Sequence, residues 1–156
     1  VLGVPNSGKS TLINNLCGAK KTITGNKAGV TRGKQWLALK NGFEVLDTPG
    51  TLYPNITNQQ IALNLAFIGS IKNEVVDINE LAVDFLNFCK KHYFNSLQEK
   101  YGVQDKSMSA LEMLDEIATF KHYLLKGAEI DYDRTCMAIL DDFRKGKLGK
   151  IILDVK

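Results

Sequence analysis

The sequence predicts an α/β chain whose second half is all α. Three observations carry this. A glycine-rich stretch near residue 3 lies between an apolar segment and a helical one. Two short apolar segments then alternate up to Asp47. Past residue 50 the apolar period lengthens from two to about 3.6.

The first element is a short strand, Val1-Leu2-Gly3-Val4, and it leads straight into Gly3-Val4-Pro5-Asn6-Ser7-Gly8-Lys9-Ser10. That octapeptide fits G-x-x-x-x-G-K-[ST] at every fixed position, the pattern of a phosphate-binding loop. Its glycines let successive N–H groups turn inward as an anion nest. A helix beginning near Lys9 adds the positive end of its dipole. The Lys9 ammonium would reach the β- and γ-phosphates, and the Ser10 hydroxyl would ligate Mg²⁺. Leu12, Ile13 and Leu16 follow at helical spacing. With so short a leading strand, the sequence is expected to be part of a larger nucleotide-binding protein, a partial P-loop NTPase fold.

A strand pair is expected next, Gln35–Leu39 and Phe43–Leu46, joined at Asn41-Gly42. The second strand runs into Asp47-Thr48-Pro49-Gly50. Alone, D-x-x-G also spells a plain turn. Downstream of a phosphate loop, Asp47 becomes a candidate to hold Mg²⁺ through water, and the Gly50 N–H a candidate γ-phosphate contact. Between the two motifs, Thr31 lies in Lys27-Ala28-Gly29-Val30-Thr31-Arg32-Gly33. By itself it reads as a solvated loop residue; in this order it reads as a switch threonine completing the Mg²⁺ shell. The candidate nucleotide contacts are Pro5, Asn6, Ser7, Gly8, Lys9, Ser10, Thr11, Asp47 and Gly50. Those nearest the chemistry are Lys9, Thr31 and Gly50.

The rest reads as helices. Asn58–Ile71 carries Ile61, Leu65 and Ile68 on one stripe. Asp77 and Glu80 have capping-box spacing before a helix expected to bury Leu81, Phe85, Leu86 and Cys89, continue toward Tyr101 and stop at Gly102. Ser109 and Glu112 repeat the box ahead of Leu111, Leu114, Ile117 and Leu124, with Gly127 as the stop. Asp131 caps a last helix with Cys136, Ile139, Leu140 and Phe143, ending near Gly146; Asp154 lies in a short extended tail. About four helices make a small bundle. The boundary falls near Lys72–Asn79, where Gly69 and Asn73 loosen the pattern, giving domains 1–75 and 76–156.

GVPNSGKSTLIN, KAGVTRGKQW and LDTPGTLYP, followed by LAFIGSIKN and GAEIDYDRT, resemble the circularly permuted ribosome-biogenesis GTPase A (YlqF-type) family over essentially the whole chain. The resemblance implies that residues 1–75 are the C-terminal part of a permuted GTPase domain and residues 76–156 a helical domain that binds RNA or the ribosome. It implies GTP as ligand, with Mg²⁺ on Ser10, Thr31 and Asp47, and hydrolysis in aid of large ribosomal subunit assembly. No N-K-x-D follows Gly50, so the guanine reader is expected upstream. Guanine specificity is thus inherited from the resemblance. GTPases often place Gln just after D-x-x-G to orient water; here Thr51 follows, so slow intrinsic hydrolysis and an activating partner are expected. Asn6 is a candidate K⁺ ligand by analogy with similar loops, or a hydrogen-bonded loop residue.

The bulk properties set outer limits. Composition is that of an ordinary globular chain, 44% hydrophobic and 24% charged with net charge +3. No apolar run approaches a membrane span. Cys17, Cys89 and Cys136 fit neither a disulfide framework nor a zinc site, which favours a reducing, cytoplasmic setting. His92 and His122 read as ordinary helix residues. Residues 1–50 hold seven Lys and Arg against two Asp and Glu. Arg144, Lys145, Lys147, Lys150 and Lys156 face only Asp154 in residues 143–156. Such cations suit a helix end or RNA phosphates; the resemblance favours rRNA. A monomer is expected, with weak nucleotide affinity and an exposed apolar sheet edge in isolation. Two other readings stay open: a nucleotide-gated rRNA-binding scaffold with negligible hydrolysis, and a P-loop ATPase or kinase.

Overall fold

The computed structural model describes residues 1–25, 28–52, 55–72 and 75–155. Asn73, Lys156 and parts of two quoted motifs (Lys27, Tyr53 and Pro54) lie outside these. The chain divides into two compact units, Val1–Val75 and Val76–Lys156.

The first unit holds α1 (Lys9–Cys17), β1 (Gln35–Ala38), β2 (Glu44–Asp47) and α2 (Gln59–Phe67). The strands form an antiparallel pair with Gln35 opposite Asp47 and Trp36 opposite Leu46. The first strand is one residue shorter than the alternation suggests and the second is shifted on by one, because the reversal takes Leu39 and Phe43. Leu39 N–H donates to the Phe43 carbonyl at 2.7 Å and Gly42 N–H to the Leu39 carbonyl at 3.3 Å. Gly42 takes the left-handed conformation this reversal needs, φ +81°.

Val1–Val4 is not a regular strand. It runs alongside β2 and the segment after it through three hydrogen bonds: Val1 nitrogen to Leu46 carbonyl at 2.7 Å, Thr48 Oγ1 to Val1 carbonyl at 2.7 Å, and Thr51 N–H to Gly3 carbonyl at 3.2 Å. The partners advance together along both segments, which makes the approach parallel. One of the three bonds comes from a side chain, so the ladder is interrupted.

Ile13, Cys17 and Leu37 form a small core, with Leu39 and Val45 against it. Leu12 and Leu16 are 52% and 55% exposed, so the buried face of α1 is the i, i+4 pair Ile13 and Cys17 and not the Leu stripe. In α2 the buried residues are Ala66 and Phe67, while Ile61 is exposed. The helix ends at Phe67, short of the expected Ile71, because Gly69 turns left-handed at φ +71°.

Four helices make the second unit: α3 (Ile78–His92), α4 (Phe94–Tyr101), α5 (Ala110–Phe120) and α6 (Tyr132–Arg144). Asp77 accepts from the N–H groups of Asn79 and Glu80. Ser109 and Glu112 form a complete capping box. Asp131 accepts from Arg134 N–H. The buried faces of α3 (Leu81, Phe85, Leu86, Cys89), α5 (Met113, Leu114, Ile117) and α6 (Cys136, Ile139, Leu140) supply the core. Phe85 meets the Phe143 ring at 4.7 Å between centroids.

Two expected helices differ. The segment from Asp77 to Tyr101 is two helices, broken at Tyr93 with φ −140°. At the break the Tyr93 hydroxyl donates to the Ile152 carbonyl and accepts from the Ile152 N–H, both at 3.0 Å. Those bonds hold the C-terminal tail, which forms no strand among the described residues. Helix α5 stops at Phe120, since His122 turns left-handed at φ +54°. His122 is therefore a turn residue, and Leu124 pairs with Ile130 in an isolated bridge. The four-helix unit thus excludes α2 and gains its fourth member from the Tyr93 break. Cys17, Cys89 and Cys136 are free and buried.

Candidate functional site: the phosphate loop and its neighbours

The loop before α1 has the backbone an anion cradle needs. Gly8 caps the helix at φ +82°, and its carbonyl accepts the Leu12 N–H at 2.8 Å. Asn6 is left-handed as well, φ +57°. Lys9 Nζ donates to the Val4 carbonyl at 2.7 Å, folded over its own loop. An ammonium has three donors, so this bond leaves two for phosphate oxygens. A cleft opens here, lined by residues 5–11, Ile23-Thr24-Gly25, Gly29-Val30-Thr31 and Gly50.

Three residues far apart in sequence meet at one hydroxyl. Ser10 Oγ donates to Asp47 Oδ2 at 2.9 Å and lies 3.1 Å from Thr31 Oγ1. Helix α1 supplies the first, the end of β2 the second, and the intervening loop the third. Asp47 is 1% exposed, and its Oδ1 has no hydrogen-bond partner among the described residues. A buried carboxylate oxygen is costly unless something compensates it. Hard oxygen donors around an uncompensated carboxylate fit a magnesium ion.

Gly50 shows why D-x-x-G ends in glycine. A Cβ there would lie 2.4 Å from Pro5 Cα and 2.5 Å from Pro5 N. The loop after β2 is therefore pressed directly onto the phosphate loop.

Two supports went unread in the sequence. Asn14 Oδ1 accepts the N–H groups of Lys21 and Thr22, while Asn14 Nδ2 donates to the Thr22 carbonyl. Thr22 Oγ1 donates to the Ser10 carbonyl at 3.1 Å. This clamp ties the segment leading toward Thr31 onto α1. Its signal was available: Asn within a helix pays for its poor propensity only where its side chain has work to do. The other support is the turn after α2, whose Ser70 and Ile68 contact Pro5 and Asn6.

The expected basic tail is less available than its count suggests. Lys145 pairs with Asp141 and Lys147 with Asp142 at 3.0 Å, both acids lying just outside the counted window. Among the described residues no helix is long and apolar enough to cross a membrane.

A glycine-capped loop opening a helix, with lysine, hydroxyls and a buried aspartate converging on it, defines a P-loop nucleotide-binding protein. The chain matches the model of the family described as 50S ribosome-binding GTPase over residues 1–122, and it belongs to that family. It is 41% identical to ribosome biogenesis GTPase A of Bacillus cereus over 156 residues, 99% of this chain and 52% of that protein. To the Thermotoga maritima protein of that name it is 32% identical, covering 97% of this chain and 53% of the other. A GDP-bound YlqF structure aligns with TM-score 0.58 at 30% identity, covering 97% of this chain and 57% of that one. A GNP-bound YlqF structure from T. maritima aligns with TM-score 0.56 at 32% identity, covering 94% and 54%. The chain thus spans about half the length of the curated relatives it matches.

Proposed function

We propose that this chain carries the phosphate- and metal-binding part of a GTP-hydrolysing switch that assists assembly of the large ribosomal subunit. The observation that carries the reading is the Ser10 hydroxyl shared between Asp47 and Thr31. Names of the relatives supply guanine and the ribosome.

Ser10, Thr31 and Asp47 would hold Mg²⁺, which supplies charge neutralisation on the phosphates during transfer. The Gly8–Thr11 backbone and Lys9 grip phosphate oxygens, with Pro5, Asn6 and Ser7 forming the rest of the loop. Gly50 offers its N–H from a loop that touches Pro5, so a bound terminal phosphate would be felt in both loops. Asn6 would contribute to a K⁺ site beside the loop. The guanine reader lies upstream in a permuted domain. Residues 76–156 form the part that meets rRNA or ribosomal protein, in a cytoplasmic monomer.

Thr51 stands where a water-orienting glutamine is common, so intrinsic turnover is slow and the ribosome completes the site. Thr51 also favours a second reading, a nucleotide-gated scaffold with negligible hydrolysis. Single-turnover assays of the full-length protein with and without large subunits separate the two, since only the switch accelerates with subunits. Excess ATP failing to displace GDP excludes an ATPase. Lys9→Ala abolishes nucleotide binding by calorimetry; unchanged affinity would refute the loop assignment.

A further inference from the structure

The turn after α2 reaches back to the phosphate loop through two hydrogen bonds. Ser70 Oγ donates to the Pro5 carbonyl at 2.5 Å. Asn6 Nδ2 donates to the Ile68 carbonyl at 2.8 Å. Ser70 is 1% exposed, and its backbone is fixed to α2 by Ser70 N–H to the Leu65 carbonyl and Gly69 N–H to the Ala66 carbonyl, both 2.9 Å. The anchor is therefore a turn bonded back onto α2.

The two loop residues it grips need holding. Asn6 sits at φ +57°, an uncommon conformation for a residue with a Cβ. Pro5 fixes its own φ and has no N–H to donate, so the Pro5 carbonyl is its one backbone handle, and Ser70 takes it. These bonds narrow the conformations open to the Pro5-Asn6 step, and an already ordered loop costs less to bind a ligand.

We propose that Ser70 is a positioning residue for phosphate binding, holding Pro5-Asn6 in the anion-cradling conformation before ligand arrives. The proposal rests on the reading of this loop as a nucleotide site, and the test separates the two. Full-length wild type, Ser70→Ala and Ser70→Cys are titrated with GDP and Mg²⁺, and ³¹P spectra of bound GDP are recorded. Alanine removes the hydroxyl and leaves a void, whereas cysteine fills the space with a slightly larger, weakly donating sulfur, so loss in both variants points to the hydroxyl's hydrogen bond and not to filled volume.

GDP affinity is expected to fall about fivefold in both variants, the worth of one hydrogen bond, and the β-phosphorus resonance to move. Urea melts of the nucleotide-free proteins verify that each variant folds; should the alanine form not fold, the cysteine form carries the test. Wild-type affinity and an unmoved β-phosphorus resonance in the folded variants would overturn the proposal while leaving the nucleotide reading intact. A cysteine form like wild type beside a weakened alanine form would overturn it too, assigning Ser70 to packing. Absence of GDP binding by wild type would overturn the nucleotide reading itself.

Discussion

At the scale of single residues, the site is governed by how little room each atom has. Gly50 is the clearest case. A methyl group there collides with main-chain atoms of Pro5, and main chain cannot swing aside as a side chain can. Gly50→Ala is therefore expected to reduce GDP affinity at least as strongly as Lys9→Ala reduces it, with a visible loss of thermal stability. Titration with a fluorescent GDP analogue checks this; an alanine variant that binds normally would mean that the two loops part easily. The sequence made Gly8, Lys9, Ser10, Thr31, Asp47 and Gly50 legible because each belongs to a motif whose chemistry demands that residue type. It did not reveal Asn14, Thr22 or Ser70. Ser70 acts through Pro5, far along the chain, and Asn14 and Thr22 act through loop contacts that neither period nor motif spacing encodes. Thiols were legible only as a count: burial raises Cys89 to about 12 and, with Asp133 adding to it, Cys136 to about 11.

At the scale of elements, helix starts were read well and helix ends less so. Caps are local: Asp77, Ser109 and Asp131 each bond within three residues. Ends were harder to place: α2 and α5 stop at left-handed Gly69 and His122, and α3 stops at Tyr93, whose hydroxyl is occupied by Ile152. Nothing in the neighbourhood of Tyr93 announces that partner. The α5 cap gives a pH prediction. Bonds from the Ser109 backbone N–H, then its side chain, hold the Glu112 carboxyl below its ordinary value of 4.5. A lowered value means that the charged form is favoured in the folded state. Its stabilising effect is complete above about pH 4.5 and fades as pH falls through the lower folded value. Glu112→Gln should flatten that acid limb in a circular-dichroism titration. Ser109→Ala should cost about 1 kcal/mol at neutral pH, the usual worth of an N-cap.

For the whole molecule, the consequence lies in the division at residue 75. The second unit owns a large aliphatic and aromatic core, whereas the Ile13 cluster of the first is small. Unfolding is expected to show two transitions, the first unit melting at the lower temperature. GDP with Mg²⁺ should raise that transition alone, because a ligand stabilises only the states that bind it. Calorimetric scans with and without ligand decide this, and a single transition moving as one would contradict it. Overall architecture was legible at this scale because periodicity changes so abruptly after Gly50. The hairpin, the phosphate loop and the helix-rich second half all follow from local pattern. The split of Asp77–Tyr101 into two helices did not, since the helical period runs on through Tyr93.

The hairpin register has one last effect. The chain's lone tryptophan, Trp36, stands opposite Leu46, one residue before the Asp47 carboxylate, and the residue is 66% exposed. The molecule therefore carries its own optical probe. Anything that docks over this strand will shift the indole emission to the blue, with no dye attached.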